Sequence, residues 1–302
     1  MRVFITGATG FIGAHLAEAL VRDRHDVALL LRSTSQSWRL DSVREKVTII
    51  HGDLGGEGDW RDAVAAFAPD AIAHMAWRGV GGADRNSPIQ AENVLDAVDL
   101  VQLAVHVGAK AFVGAGSQAE YGPYQRVISE SDQTNPTTLY GMAKRAAGEM
   151  CGLLAAEKGL RFTWLRIFST YGPKDADYWL IPSFIRTLRS GQRMALTKAE
   201  QRWGFLHVRD AADAFKLAVT SDKAHGLYNV GSPDAPLLRD TMQTLRSLVN
   251  PAAELGFGDV PYRPDQVMVL QADVARLTRL GWAPKVSLED GLAETVRWYD
   301  RA

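Results

Sequence analysis

Apolar positions along the 302-residue chain fall into two alternating patterns. Short unbroken runs rich in Val, Ile, Leu and Phe read as strands buried on both faces. Longer stretches with apolar residues three and four apart read as amphipathic helices. The first run, Val3-Phe-Ile5, passes through three glycines into helical spacing at Phe11, Ile12, His15, Leu16 and Leu20. Further strands are expected at 27–31, 47–50, 71–76, 111–114 and 161–167, with helices at 59–67, 88–107 and from 135 toward 158. Strands that alternate with helices in this way build a parallel sheet covered on both sides, so the first half predicts a doubly wound α/β fold. The later chain is less regular. Its aromatics, Trp164, Tyr171, Tyr178, Trp179, Trp203, Phe205, Tyr228 and Tyr262, lie near loops and prolines, and read either as a smaller lobe shaping a second pocket or as ordinary core packing.

Gly7, Gly10 and Gly13 fall in the turn between the first strand and the first helix. The first amides of a helix have no internal partner and carry the positive end of its dipole, so a phosphate settles there. Gly7 suits the tight turn, Gly10 lets a pyrophosphate approach, and Gly13 lets the helix pack on the sheet. The spacing is G-x-x-G-x-x-G, one residue longer at the front than the usual dinucleotide fingerprint. Arg32 follows the second strand, where an acid would bond a ribose hydroxyl and an arginine accepts a 2′-phosphate, so NADP is the expected cofactor and NAD the alternative. Arg32 and Arg39 could instead merely solvate a loop. Asp53, after the third strand, reads equally as an adenine contact or a turn residue. His74 reads as a hydrogen-bonded core residue.

Charge narrows the partners. Lys plus Arg number 34 and Asp plus Glu 35, which leaves no basic field to recruit nucleic acid or an anionic membrane. The single cysteine, Cys151, excludes an internal disulfide and a multi-cysteine metal cage, and reads as a small buried hydrophobe. No metal site is expected. No apolar run is long enough to span a bilayer, and the expected location is cytoplasmic.

Tyr140-Gly-Met-Ala-Lys144 puts a phenol and an ammonium on one face of a helix. A tyrosine that exchanges a proton near neutral pH needs its pKa of about 10 lowered, and a neighbouring cation does this. Ser117 ends the fifth strand, and ligands of such sheets gather at the carboxyl ends of the strands.

These residues, with Thr6-Gly-Ala-Thr-Gly-Phe-Ile-Gly13, Gly52-Asp-Leu54, His74-Met-Ala76, Asn93-Val94 and Ser117-Gln-Ala-Glu-Tyr-Gly122, make the chain resemble an extended short-chain dehydrogenase/reductase. Arg166-Ile-Phe-Ser-Thr-Tyr-Gly-Pro173, Phe205-Leu-His-Val-Arg-Asp210, Tyr228-Asn-Val-Gly231, Arg263-Pro-Asp265 and Leu280-Gly-Trp282 carry the resemblance toward the carboxyl end. Within that family it resembles the nucleotide-sugar epimerase, dehydratase and reductase branch.

The resemblance implies a Rossmann-type dinucleotide-binding domain over 1–167, return segments near 204–230, and a mainly substrate-binding lobe over 168–302. It implies that Tyr140 is the acid/base, that Lys144 lowers its pKa and holds the nicotinamide ribose, and that Ser117 bonds the reacting oxygen. Gly7, Thr9, Gly10, Phe11, Ile12, Gly13, Arg32, Asp53, Leu54, Met75, Ala76, Asn93, Tyr140, Lys144 and Ile167 are then the expected cofactor contacts. Ser117, Gln118, Ser169 and Arg263 are the expected contacts to a nucleotide sugar.

Departures from the family pattern narrow the reaction. Gln118-Ala119 stands where 4,6-dehydratases carry Asp-Glu, which disfavours dehydration. The Val80-Gly-Gly82 loop resembles that of GDP-fucose synthases, yet Ala119 replaces their epimerising cysteine, which disfavours 3,5-epimerisation. Ser169 replaces a common Asn, and Gln201-Arg-Trp-Gly204 replaces the usual Arg-Asp. The expected activity is NADP-dependent reduction of a nucleotide-linked 4-keto sugar, a 4-keto-6-deoxyhexose. The alternatives are a 4-epimerase with tightly bound NAD and a C4 dehydrogenase. Relatives of this kind dimerise through the helices expected at 88–107 and 138–158, so a homodimer is expected.

Overall fold

Unbroken apolar runs become strands that are buried on both sides. A computed structural model describes residues 1–56, 58–263 and 266–301, so Pro264 and Asp265 of the Arg263-Pro-Asp265 motif lie outside the described residues. Six strands, β1 (Arg2–Thr6), β2 (Asp26–Leu31), β3 (Thr48–His51), β4 (Ala71–His74), β5 (Ala111–Ser117) and β6 (Arg161–Ile167), join Gly226–Val230 in one sheet. The sheet is parallel, in the order Gly226–Val230, β6, β5, β4, β1, β2, β3. Strand order reverses between β1 and β4, which opens a crevice beyond their carboxyl ends.

Alternate side chains of each strand serve opposite layers. Val3 and Ile5 face a core with Leu16 and Leu20 of α1 (Phe11–Arg22) and Phe215 of α6 (Val208–Thr220). Phe4 lies between them and faces the other core. That core holds Trp60 of α2 (Trp60–Phe67), Leu100 and Val101 of α3 (Ile89–His106), and Ala147 and Cys151 of α4 (Leu139–Glu157). Full burial of a side chain such as Phe4 contributes about 1.5–3 kcal/mol. Cys151 is fully buried, as its helical setting predicts.

Two helix boundaries have clear local causes. The helix expected from 135 begins at Leu139, with the Thr138 hydroxyl accepting from the Gly141 amide at 3.1 Å. Asn135 is occupied elsewhere: its amide donates to the Tyr121 carbonyl, and its own carbonyl abuts Gly122, leaving no room for a Cβ there. Helix α2 ends at Phe67, and its cap Ala68, in the left-handed region (φ 49°), precedes Pro69, a position that proline drives from the right-handed helical region.

The smaller lobe packs α5 (Leu180–Arg189), α7 (Leu238–Val249) and α9 (Leu288–Tyr299) around Phe184, Met242 and Leu292. Short parallel pairs stitch it together, among them Thr170–Tyr171 with Leu206–His207 and Arg202–Trp203 with Val269–Leu270. Helix α6 and the edge strand Gly226–Val230 pack back onto the main sheet. A second return was not expected. Leu270, Ala272, Leu277 of α8 (Ala275–Thr278) and Trp282 all enter the main core. Trp282 donates to the Asp210 carbonyl at 3.0 Å, and the Asp210 carboxylate accepts the Lys285 and Val286 amides at 3.0 Å each.

Of the later aromatics, Trp164, Tyr171, Phe205 and Tyr228 are buried in the core, whereas Tyr178 and Trp179 are exposed. Packing therefore accounts for the four buried ones and for Trp203, half-buried against the same cores.

Behind the end of β5 lies a buried ion pair, Glu120 to Arg166 at 2.7 Å. Glu120→Ala is expected to lower stability by ~3–5 kcal/mol in urea titration, because Arg166 would stay buried without its counter-charge. Adding Arg166→Met should recover much of that loss. A loss under ~1 kcal/mol for the single variant would mean that water reaches the pair.

Candidate active site

The crevice beyond β1 and β4 is floored by the glycine turn. Gly7 has φ 75°, and a Cβ there would overlap the Ala76 backbone at 2.7 Å. Met75 and Ala76 are held against the turn by the Met75 amide bonding the Thr6 carbonyl at 3.1 Å. A Cβ on Gly13 would strike the Gly7 carbonyl, so the third glycine is what lets α1 pack against the turn. Gly10 is the helix N-cap and brings no side chain to cap it. The opening amides of α1, at Phe11 and Ile12, are thus free of a side-chain cap in a concave backbone cradle. That is the geometry a pyrophosphate needs.

Around the cradle the expected cofactor residues divide. Arg32 is exposed at the end of β2, and no salt bridge involves it among the described residues. Arg39 is already used: its Nε donates to the Lys174 carbonyl at 2.8 Å, and Nη1 reaches the Thr9 carbonyl at 3.4 Å. Asp53 is exposed beyond β3, while Leu54 packs against the second core. Asn93 is buried and spends its amide on the Arg78 backbone, accepting at 2.9 Å and donating at 3.0 Å. It shapes the loop after β4. His74 is also a core residue: Nδ1 pairs with the Thr6 hydroxyl at 2.8 Å, and burial beside Lys144 pushes the imidazole down to about 3.

Ser117, Tyr140 and Lys144 come together at the end of β5 and the start of α4. Ser117 is the N-cap of a short 3₁₀ turn, Gln118–Glu120, and its hydroxyl accepts from the Ala119 amide at 3.2 Å. Its proton remains available for the Tyr140 oxygen. Glu120 closes the capping box by accepting the Ser117 amide at 2.8 Å, then accepts Trp164 Nε1 at 3.0 Å and Arg166 Nε at 2.7 Å. Ile167 lies directly across from Ser117 on β6. Gln118 is half-buried beside Ser117, and Ser169 follows the end of β6, its carbonyl accepting the Leu206 amide. Arg263 is exposed on the loop before Val269–Leu270, and no hydrogen bond ties its side chain to the triad among the described residues.

Electrostatics at the triad differ from the simple expectation. Burial raises the Tyr140 pKa, opposed by the neighbouring Ser117 hydroxyl and by the charge of Arg85. Lys144 Nζ donates to the Ala115 carbonyl at 2.6 Å and sits 3.7 Å from the Trp77 ring centre. Burial pulls this ammonium down to about 7. The cation lying on the tyrosine ring is Arg85, whose guanidinium carbon is 4.3 Å from the ring centre. Trp77 and Arg85 are the residues that sequence reasoning missed. Their one signal was position, on the glycine-rich loop directly after His74-Met-Ala76.

A dry site with a paired phenol and hydroxyl beside a phosphate cradle can move a proton to or from a substrate oxygen while a bound dinucleotide exchanges hydride. The chain is similar in sequence and in fold to known proteins. The chain is 28% identical to the UDP-N-acetyl-alpha-D-glucosaminuronate decarboxylase of Bacillus cytotoxicus, over 99% of this chain and 97% of that protein. The UDP-glucose 4-epimerase of Thermotoga maritima, solved with UDP-glucose, superposes with a TM-score of 0.90 at 23% identity, covering 100% of this chain and 99% of that one. The UDP-glucose 4-epimerase of Thermus thermophilus, solved with NAD, gives a TM-score of 0.84 at 25% identity over 100% of both chains. The model of the NAD dependent epimerase/dehydratase family matches residues 3–231, and the chain belongs to that family of extended short-chain dehydrogenase/reductase enzymes.

Proposed function

We propose that the chain reduces a nucleotide-linked 4-keto sugar, a 4-keto-6-deoxyhexose, to the alcohol with NADPH. The observation that carries the cofactor choice is Arg32, exposed at the end of β2 with no acidic side chain beside it in Leu31-Arg32-Ser33-Thr34. A guanidinium there suits a 2′-phosphate, and the residues that flank it carry no carboxylate to bond a free 2′-hydroxyl.

When bound, the dinucleotide supplies the hydride from C4 of its nicotinamide. The remaining steps belong to the protein. Ser117 bonds the sugar carbonyl oxygen, and Tyr140 donates the proton as that oxygen becomes an alkoxide, so the products are the alcohol and NADP⁺. Lys144 serves the nicotinamide ribose from the same helix face. The domain division follows from this reading, with the sheet holding the cofactor and the lobe around α5, α7 and α9 closing on the sugar nucleotide through Ser169 and Arg263.

A second reading, 4-epimerisation with tightly bound NAD, draws on the two 4-epimerases that share the fold. A C4 dehydrogenase would use the same triad in the oxidative direction. Mass analysis of the nucleotide that co-purifies separates these readings: tightly held NAD without net turnover sinks the reductase.

We also propose a homodimer. Leu139, Met142, Met150 and Leu153 of α4 and Leu95 of α3 are exposed, with Leu153 at 76%. An apolar stripe of this kind is a docking surface for a second copy.

Three outcomes are expected. Arg32→Ala should weaken NADPH binding by tenfold or more, about 1.4 kcal/mol, and leave NADH binding unchanged in fluorescence titration. Tyr140→Phe should lower turnover about 10²–10⁴-fold with an accepted nucleotide sugar, while cofactor affinity stays intact; full turnover would remove Tyr140 from the mechanism. Light scattering should give the dimer mass, and Leu153→Glu should shift it toward monomer. Monomer in the unaltered protein would end the dimer proposal.

A further inference from the structure

The loop after β4 is built with more care than a flexible cover requires. Gln90, buried on α3, accepts Trp77 Nε1 at 2.8 Å and donates to the Gly79 and Asp84 carbonyls at 2.9 Å each. Asn93 fixes the Arg78 backbone from the next turn of the same helix. Farther along, Arg85 donates to the Val80 carbonyl at 2.9 Å, and Asn86 accepts the Leu139 amide at 3.0 Å. That last bond ties the 3₁₀ segment Gly82–Asn86 to the first turn of α4, beside Tyr140 itself.

Two side chains of this loop reach the triad. The Arg85 guanidinium stacks on the Tyr140 ring, and the Trp77 ring meets Tyr140 edge-on with centres 6.4 Å apart. Trp77 also presents its face to Lys144, whose ammonium is 6.0 Å from the Tyr140 ring centre and 3.7 Å from that of Trp77. The groups around the phenol are therefore Arg85 from the loop, Ser117 from β5, Lys144 from α4, and the Glu120 carboxylate from the turn after β5.

We propose that Arg85 is a positioning residue for the acid/base step, its guanidinium holding the Tyr140 ring in place and stabilising the phenolate, while Trp77 holds Lys144. This rests on Tyr140 as the acid/base and goes beyond it, because it gives part of the cation's work to a residue outside the tyrosine and lysine pair. The charge of a guanidinium against the ring face favours the ionised phenol, and the surrounding low dielectric strengthens that effect. Arg85 opposes the burial that raises Tyr140, and so does Ser117. Glu120 acts the other way and is largely answered by Arg166.

The sign follows directly. Removing the cation makes phenolate harder to form, so the Tyr140 titration midpoint must rise.

The test is a ¹³C NMR titration of the full chain labelled at the phenolic carbon of tyrosine, with the Tyr140 signal assigned by its disappearance in Tyr140→Phe. In Arg85→Gln the midpoint should rise by about one pKa unit, a tenfold change in ionisation. Arg85→Lys, which keeps the charge, should restore part of that shift. Backbone amide spectra matching the unaltered protein establish that the fold is kept. An unchanged or lowered midpoint in Arg85→Gln overturns the proposal. The readout needs no sugar substrate, so it stands apart from the reductase reading, which fails only on turnover and cofactor identity.

Discussion

One buried carboxylate organises the end of the main sheet behind Ser117. Glu120 accepts the Ser117 amide, Trp164 Nε1 and Arg166 Nε, and is almost completely shielded from water. A carboxylate so buried persists only when each lone pair is answered, and its partners then fix one another's positions. Arg166 lies over the Tyr121 ring, and the Tyr121 hydroxyl donates to Asn229 at 2.6 Å. Asn229 in turn donates to the carbonyls of Ile128 and Asp273. The end of β5, the edge strand and the second return of the chain are thus joined through one polar network behind Ser117.

This network shows what several of the motifs that carry the family resemblance do in the fold. Glu120, Tyr121, Arg166 and Asn229 hold Ser117 in place, and His207 and Asp210 cap and anchor α6. The buried strands were legible because an apolar run that serves two core layers has no polar positions to confuse its period. Ser117, Tyr140 and Lys144 were legible because they lie at element ends or at a helical spacing, where local geometry decides what shares a site. Trp77 and Arg85 were not, since an irregular loop has no period, and their approach to the triad depends on Gln90 and Asn86 bonding across to other segments. The return through Leu270, Ala272 and Trp282 escaped for the same reason: its elements are too short to carry a pattern, and only tertiary packing defines them.

The site favours the uncharged form of its proton-carrying groups by drying them. Burial raises Tyr140, lowers Lys144 to about 7 and lowers His74 to about 3. By linkage the shift of Lys144 costs folding stability at neutral pH, that of His74 only below its ordinary pKa and that of Tyr140 only above its own, and catalytic sites commonly accept such a cost. A lysine pulled down to about 7 and held on a tryptophan face is a weak fixed charge for a tyrosine that, in the proposed mechanism, exchanges a proton. A guanidinium does not lose its charge at any pH where the protein is folded. Arg85 therefore supplies the dependable part of the field at Tyr140, and Lys144 can respond to whatever occupies the cradle beside it. The division of labour follows from where each cation sits. Arg85 is half-buried at the mouth, where its charge stays hydrated at modest cost, whereas Lys144 is fully enclosed, with the Ala115 carbonyl and the Trp77 face against its ammonium and the Glu120 charge farther off.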